Sequence, residues 1–360
     1  MKVWRVSILA LLAVACNDAT PETTPFESTP YVLEKPFLFP EMLIPEDNPL
    51  TVEGVALGRK LFYEKRLSGN NTLSCAGCHN QESAFSDSRK FSIGIDGIEG
   101  NRQSMSLVNI GYARFYFWDG RAATLEDQIL EPVPNPIEMH QEWKDAVFKL
   151  EIDNKYPLEF AAAFGSSDID SILVAKAIAQ FLRTLISSNS KFDQYRQGKQ
   201  QLTAEEFRGL NLFLTEGGDP NEVQGGQNGA DCFHCHGIGG LQFSDYRLHN
   251  NGLDSIFADL GAGGVTGDSK DMGRFKTPTL RNLSFTAPYM HDGRFATLEE
   301  VIEHYNAGGH ASSTIDPFMK YTSGGLKLPE ADKRSLIAFL KTLDDPSLLT
   351  DTSFSNPFQP

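Results

Sequence analysis

The chain contains one segment twice: SMSLVNIGYARFYFWDGRAATLEDQI at residues 104–129 and TPTLRNLSFTAPYMHDGRFATLEEVI at residues 277–302. At a constant offset of 173 positions, 11 of the 26 aligned pairs are identical, and no gap is needed. Repetition over this length predicts two tandem copies of one structural unit. The rest of the chain is therefore expected to fall into two related halves.

Two shorter matches extend the repeat within each half. FLRTL at residues 181–185 matches FLKTL at residues 339–343, and KLF at residues 60–62 matches NLF at residues 211–213. Apolar residues recur at i, i+3 and i+4 around the first of these pairs, which predicts helices. Few segments alternate with a period of two residues, so we expect little β-sheet.

Each half also contains one C-x-x-C-H motif, CAGCH in the first and CFHCH in the second. Two thiols three positions apart can form thioether bonds to the two vinyl groups of a haem, and the adjacent histidine then binds the iron. A zinc site would need all four cysteines to converge, and a thioredoxin-like dithiol needs no histidine. The motifs therefore predict two covalent haem c groups. Their ligands are Cys75, Cys78 and His79 for the first haem, and Cys232, Cys235 and His236 for the second.

The composition is that of a globular protein, with 360 residues of which 40% are hydrophobic. The formal net charge is -15, from 32 basic and 47 acidic residues. A nucleic-acid partner is not expected, because a surface that binds phosphates needs the opposite charge.

The first sixteen residues have the pattern of an export signal. Lys2 and Arg5 precede an uncharged apolar run over residues 6–15, which is too short to span a bilayer. The run ends at Val14-Ala15-Cys16, which resembles a bacterial lipobox, and a lipid on Cys16 would anchor the mature chain. Ordinary cleavage near Ala15 is the alternative. Either way we expect export to the periplasm, with membrane contact only through the lipid.

The remaining chain divides into four predicted parts. Residues 17–45 contain repeated Thr-Pro and other X-Pro steps, so they are expected to form a tether and not one helix. Residues 46–195 and 196–345 form the two haem domains, and residues 346–360 form a tail. The Gly-rich stretches at 217–229 and 261–267 are expected to be surface loops.

The repeat also allows a comparison of the iron ligand position opposite the motif histidine in each half. Carried slightly further, the offset of 173 places Tyr305 of the second half against Pro132 of the first. A tyrosine phenolate can bind iron, whereas proline has no donor atom in its side chain. One haem would then be six-coordinate, through His236 and Tyr305, and the other open beside Pro132. The spacing alone is equally consistent with Tyr305 as an aromatic residue on the surface of a helix.

Four stretches of sequence form a more specific set: LSCAGCHNQESAFSD (73–87), FYFWDGRAATLEDQILEPVPNPIEM (115–139), SNSKFDQY (188–195) and TPTLRNLSFTAPYMHDGRFATLEE (277–300). Together they resemble the bacterial dihaem cytochrome c peroxidase/MauG family over residues 57–343. The resemblance implies a mainly α fold of two tandem cytochrome c-like domains, each with one covalent haem c.

The resemblance also implies roles for three residues near the first haem, which reacts with peroxide in this family. Glu138 occupies the glutamate position of an N-P-x-E-M segment, where one carboxylate can move the proton between the two peroxide oxygens. Gln128 would orient the peroxide or a water. Trp118 matches a tryptophan between the haems, and its indole is large and oxidisable, although core packing is the commoner role of tryptophan.

The chain departs from the peroxidases of the family at two positions. Many of them carry a histidine in the loop after the first haem motif, whereas Ile95 stands here and cannot bind iron. We therefore expect an open first haem in the fully ferric protein. At the second haem, Tyr305 replaces the usual methionine, as in the MauG branch, and an anionic phenolate should lower its potential. Met290 and Met319 are the alternative ligands.

The family also binds calcium between its haems, through an asparagine side chain and two backbone carbonyls. The carbonyl positions correspond to Thr286 and Pro288, and Gln103 stands at the asparagine position. Glutamine keeps a carbonyl oxygen, so one Ca²⁺ is expected.

The predicted activity is that of an exported dihaem c peroxidase. It would reduce hydrogen peroxide to water with electrons from an external donor protein, such as a small cytochrome or cupredoxin. A MauG-type oxidase that modifies a partner protein is the first alternative. The second is a dihaem electron-transfer protein without catalysis, in which both irons would be six-coordinate; Pro132 and Ile95 argue against it.

Overall fold

The structure is a computed structural model that describes residue 1 and residues 26–218 and 228–359. The predicted signal and the lipobox cysteine Cys16 lie outside the described residues. Among those described, no helix combines the length and the apolarity that crossing a membrane requires.

The described chain is mainly helical, as predicted, and its only sheet pairs two-residue strands β1 and β2. Leu248 of β1 lies opposite Lys276 of β2, in antiparallel register. The helices of the first half are α1 Val52–Tyr63, α2 Leu125–Leu130, α3 Trp143–Glu151, α4 Tyr156–Phe164 and α5 Ser171–Arg183. The later elements are α6 Lys191–Arg196, α7 Ala204–Phe213, β1 Leu248–His249, α8 Ala262–Thr266, β2 Phe275–Lys276, α9 Leu298–Ala307, α10 Glu330–Lys341 and α11 Ser347–Thr350.

Each half has its own apolar core, built around one crossed pair of helices. In the first half α1 packs on α5, and in the second α7 packs on α10. The closest approach uses a glycine in both: Gly58 lies against the carbonyl of Ala177, and Gly209 lies against the carbonyl of Ser335. Any side chain at either glycine would collide with that backbone. The short matches at 60–62 and 211–213 are thus the C-terminal ends of equivalent helices.

The long repeat folds in the same way in both halves. Asn109 and Asn282 both adopt a left-handed backbone conformation, with φ of 57° and 63°. The Asn109 side chain bonds the backbone N–H and C=O of Ser187, and the Asn282 side chain bonds those of Asp345. Asparagine tolerates this conformation better than most residues, and its amide can pair with a backbone in this manner. The duplication is therefore structural as well as sequential.

Two segments differ from the sequence predictions. The described part of the expected tether, residues 26–45, packs against the body, and Phe39 is buried in the second core beside Arg281 and Tyr112. The expected loop at 261–267 contains helix α8, in which the small residues Ala262 and Gly263 are buried. The tail packs through Leu348 in the first core. Most of the expected loop at 217–229 lies outside the described residues.

Candidate active site

The first C-x-x-C-H motif forms one tight turn. Residues Cys75–Gly77 are a 3-10 helix, and the backbone N–H of His79 donates to the carbonyl of Cys75 (3.0 Å). The two cysteines therefore share one side of a helical turn, as thioether attachment to a single haem requires. The His79 Nδ1–H donates to the carbonyl of Phe85 (3.0 Å), so the lone pair of Nε2 is left for a metal.

The second motif repeats this geometry. Cys232–His234 form a 3-10 helix, and the His236 Nδ1–H donates to the carbonyl of Phe243 (2.8 Å). Burial lowers the pKa of both His79 and His236, which favours the neutral imidazole that binds iron. Burial also raises the pKa of the Cys75 and Cys232 thiols to about 12, so neither thiol ionises readily. The donors at both motifs fit covalent haem c.

A large cavity lies beside the second motif and reaches the boundary between the domains. It is mainly apolar, and its walls include both residues proposed to hold the second iron and the residues between the domains. The residues of this wall that matter below are Trp118, Cys232, Cys235, His236, Asn251, Lys276, Met290, Tyr305 and Met319.

Tyr305 lies on helix α9 and faces this cavity. The helix begins at a capping box between Thr297 and Glu300, and it continues to Ala307. The Tyr305 hydroxyl accepts a hydrogen bond from Asn251 Nδ2 (3.1 Å). Burial raises the pKa of Tyr305 to about 12. Met290 and Met319 line the same cavity, so the structure brings together all three candidates for the second ligand.

Pro132, the counterpart of Tyr305, lies outside any helix because α2 ends at Leu130. The chain then folds back, and the backbone N–H of Met139 donates to the carbonyl of Pro132 (3.2 Å). This return brings Glu138 to the loop that follows the first motif. Burial raises the pKa of Cys75 and Cys78, and the negative charge of Glu138 adds to that rise.

Glu138 is a half-buried carboxylic acid held by one defined contact. Asn135 Nδ2 donates to Glu138 Oε1 (2.6 Å). Burial raises the pKa of Glu138, and the charge of Arg121 opposes that rise. A carboxyl with a raised pKa exchanges protons more readily near neutral pH than an exposed glutamate does.

The loop that carries Ile95 is attached to the same segment. The backbone N–H of Ile95 donates to the carbonyl of Glu138 (2.9 Å), and Gly94 lies against the carbonyl of Ile137. Gln128 is held at one end, since its Oε1 accepts a hydrogen bond from the backbone N–H of Phe117 (2.9 Å). Within the described residues its NH2 group makes no hydrogen bond, so only that end is available to orient a small molecule.

Trp118 is buried between the two halves and is fixed at both ends. Its Nε1–H donates to the carbonyl of Gln103 (2.8 Å), and its own carbonyl accepts from the backbone N–H of Lys276 (2.7 Å). The indole also lines the cavity that contains His236. Burial and a position on the wall of the second haem cavity thus occur together at this residue.

The residues predicted to bind calcium line one cavity. Gln103 Nε2 donates to Ser86 Oγ (2.8 Å) and to the carbonyl of Asp87 (3.1 Å), which fixes the orientation of the amide. Within the described residues its Oε1, the atom predicted to bind calcium, accepts no hydrogen bond. Thr286 and Pro288 line the same cavity as Gln103.

Three residues around the second site were not found by sequence reasoning. Asn251 contacts Tyr305, as described above. His249 donates from its two ring nitrogens to Asp245 (2.8 Å) and Asp316 (2.6 Å); burial alone would lower its pKa, but these bonds raise it to about 9. Lys276 is buried, and within the described residues the only hydrogen-bond partner of its ammonium group is Met105 Sδ (3.5 Å). The contacts from Asn251 to Tyr305, from His249 to Asp316 and from Lys276 to Met105 join segments 54 or more positions apart, so no local pattern marks them.

Taken together, a mainly helical fold with two cores, two C-x-x-C-H turns and two hydrogen-bonded histidines defines a dihaem c protein. The family model for di-haem cytochrome c peroxidase matches residues 52–201. The methylamine utilization protein MauG of Methylorubrum extorquens is 35% identical over 311 residues, which cover 85% of this chain and 82% of that protein. The cytochrome c551 peroxidase of Nitrosomonas europaea is 31% identical, over 87% of this chain and 89% of that protein.

Solved structures agree with these relatives. A MauG-like protein associated with microbial copper homeostasis is 37% identical to this chain and superposes with a TM-score of 0.81. The match covers 91% of this chain and 100% of that protein. The chain belongs to the dihaem cytochrome c peroxidase/MauG family. It is a haem-dependent oxidoreductase that reduces hydrogen peroxide with electrons from an external donor, and this confirms the predicted fold and class of activity.

Proposed function

We propose that peroxide reacts at the first haem, on the side of Glu138, in the fully oxidised protein and without prior reduction. Haem c bound at His79 would supply the iron that exchanges electrons with peroxide. The observation that supports this assignment is the position of Glu138, a half-buried carboxyl with a raised pKa whose backbone is bonded to the loop after the first motif.

Glu138 would take the proton from the peroxide oxygen nearer the iron and give it to the other oxygen, which leaves as water. The bond from Asn135 keeps one carboxyl oxygen fixed, so the other can point toward the substrate. The NH2 group of Gln128 would donate a hydrogen bond to the peroxide or to a water. The backbone bond between Ile95 and Glu138 holds an apolar residue where other family members carry a closing histidine.

The second haem is proposed to bind His236 and Tyr305. An anionic phenolate favours the oxidised metal, so this haem would have a low potential and would share oxidising equivalents rather than admit electrons at high potential. Trp118, which is buried between the sites, would carry that exchange. A Ca²⁺ ion near Gln103, Thr286 and Pro288 remains part of the proposal.

The donor is proposed to be a protein. A small cytochrome or cupredoxin would make the enzyme a peroxide-scavenging peroxidase. A residue of a partner protein would make it a protein-modifying oxidase, and the 37% identity to a MauG-like protein associated with copper homeostasis favours testing this second function. The proposed location is the periplasm, with a lipid anchor on Cys16.

The test is stopped-flow absorbance of the fully ferric holoprotein mixed with one equivalent of hydrogen peroxide. A fast Soret change without pre-reduction is expected. A reaction that appears only after one electron is added would contradict the open first haem. No reaction in either state would contradict the placement of the peroxide site at the first haem.

A further inference from the structure

Asn251 contacts two of the three candidate ligands of the second iron, Tyr305 and Met290. It lies two residues after strand β1, and its Nδ2 donates to Tyr305 Oη (3.1 Å) and reaches Met290 Sδ (3.5 Å). All three side chains line the cavity that contains His236. An amide NH2 group has two hydrogens, so one can serve the phenol oxygen and the other the sulfur.

The backbone of Asn251 is fixed independently of its side chain. Its carbonyl accepts a hydrogen bond from His304 Nε2 (3.0 Å), and His304 is the neighbour of Tyr305 on helix α9. This bond joins the loop after β1 to the end of α9 that carries the ligand. Because it uses the main chain, it survives a substitution of the Asn251 side chain.

The repeat shows what is particular to Met290. Its counterpart is Phe117, and both residues have positive φ, 75° and 59°. The turn conformation therefore belongs to the repeat and not to either side chain. The Phe117 ring packs under the Arg121 guanidinium at 3.4 Å, whereas the Met290 sulfur contacts Asn251 inside the haem cavity. The second half alone places a potential iron ligand at this turn.

We propose that Asn251 selects the second iron's ligand: it holds Tyr305 in the binding position and keeps Met290 away from the iron. This inference rests on the proposed role of Tyr305. A hydrogen bond from a neutral amide to a phenolate is stronger than one to a thioether, because an ionised acceptor strengthens the bond. Without that donor, a buried phenolate loses its compensating partner, and the neutral sulfur becomes the better-tolerated ligand.

The test compares three variants of the holoprotein: Asn251→Leu, Asn251→Leu with Met290→Leu, and Tyr305→Phe. Leucine is close to asparagine in size and donates no hydrogen bond. In Asn251→Leu we expect the phenolate-to-iron charge-transfer band to be replaced by a thioether-to-iron band. We also expect the ratio of ferrous to ferric second haem at fixed potential to rise at least tenfold, which is 59 mV. The thioether band should disappear in the double variant.

Two results separate the possible failures. If the wild-type protein has no phenolate band, and Tyr305→Phe does not change its spectrum, the assignment of Tyr305 itself is wrong. If the wild-type band is present but Asn251→Leu keeps both the band and the midpoint potential, Tyr305 stands and the role of Asn251 is refuted. Haem content, measured as the pyridine haemochrome, and the circular dichroism of each variant show that the comparison is between folded, fully loaded proteins.

Discussion

Glu138→Gln is the substitution that most directly tests the proposed peroxide site. The two side chains have the same number of heavy atoms, so the change creates no cavity. The glutamine Oε1 can still accept from Asn135 Nδ2, which donates to Glu138 Oε1 at 2.6 Å in the native protein. The variant therefore keeps the native contact and loses only the capacity to accept and release a proton.

The expected loss follows from that capacity alone. A positioned general acid–base group contributes about 10²–10⁴-fold to a rate. At about 1.4 kcal/mol for each tenfold change, this is roughly 3–5 kcal/mol of activation free energy. The assay is the stopped-flow Soret change of the ferric protein with excess peroxide, measured as a second-order rate constant over a range of pH.

The pH profile gives a second readout. Glu138 must be ionised to take a proton, so the wild-type rate should fall as the pH drops through the pKa of Glu138. Burial raises that pKa above the ordinary glutamate value of 4.5, so the fall should begin at a higher pH than for an exposed glutamate. The variant should lack this limb.

Glu131→Gln is the matched control. Glu131 lies in the same segment, is 43% exposed and pairs with Arg121 at 2.8 Å. Removal of such a surface charge is expected to leave the peroxide rate at neutral pH nearly unchanged. Because the charge of Glu131 also raises the pKa of Glu138, the fall in rate at low pH should move to slightly lower pH in this control and should not disappear. If Glu138→Gln reacts at the wild-type rate and keeps the same pH profile, proton transfer by Glu138 is refuted.

Three further predictions concern the framework around the site. Arg281 and Asp193 form a fully buried ion pair (2.7 Å), so Arg281→Met should lower the free energy of unfolding by about 3–5 kcal/mol. Arg208→Met, which removes a more exposed ion pair, should lower it by less than about 1 kcal/mol, and chemical denaturation measures both. Gly209→Ala forces a methyl group into the α7–α10 contact and should cost about 1–3 kcal/mol, seen as a lower melting temperature. Trp118→Phe removes the indole and its bond to Gln103, so the peroxide-induced spectral change at the second haem should lag behind that at the first; simultaneous changes would exclude Trp118 as the route.

The features that the sequence predicts well are those whose spacing is local. The two C-x-x-C-H turns and the helices around them follow from residues a few positions apart, and the internal repeat fixes their pairing into two domains. The repeat also predicts the difference between Tyr305 and Pro132 from one aligned position. These parts depend on short-range periodicity, which a single sequence displays directly.

The features that it misses depend on contacts between distant segments. Asn251 meets Tyr305 across 54 positions, and no periodicity marks it. The bond by which the Gln128 carbonyl oxygen fixes the Phe117 turn has no signal in the sequence either. The stretch with Phe39 contains many prolines, yet Phe39 is buried in the second core. The positions of Asn251, Gln128 and Phe39 depend on tertiary packing, which the composition of their own segments does not reveal.

The two distal sides differ because one repeated helix ends early in the first half. Helix α9 continues to Ala307 and carries Tyr305 toward the second haem cavity, whereas α2 ends at Leu130, before Pro132. Proline has no backbone N–H to continue a helix, so the chain folds back and brings Glu138 toward the first motif. The proposed open site and the proposed proton-transfer group would thus arise from the same local change. Replacement of Pro132 by tyrosine would therefore not recreate the arrangement of Tyr305, because position 132 lies beyond the helix that would have to present it.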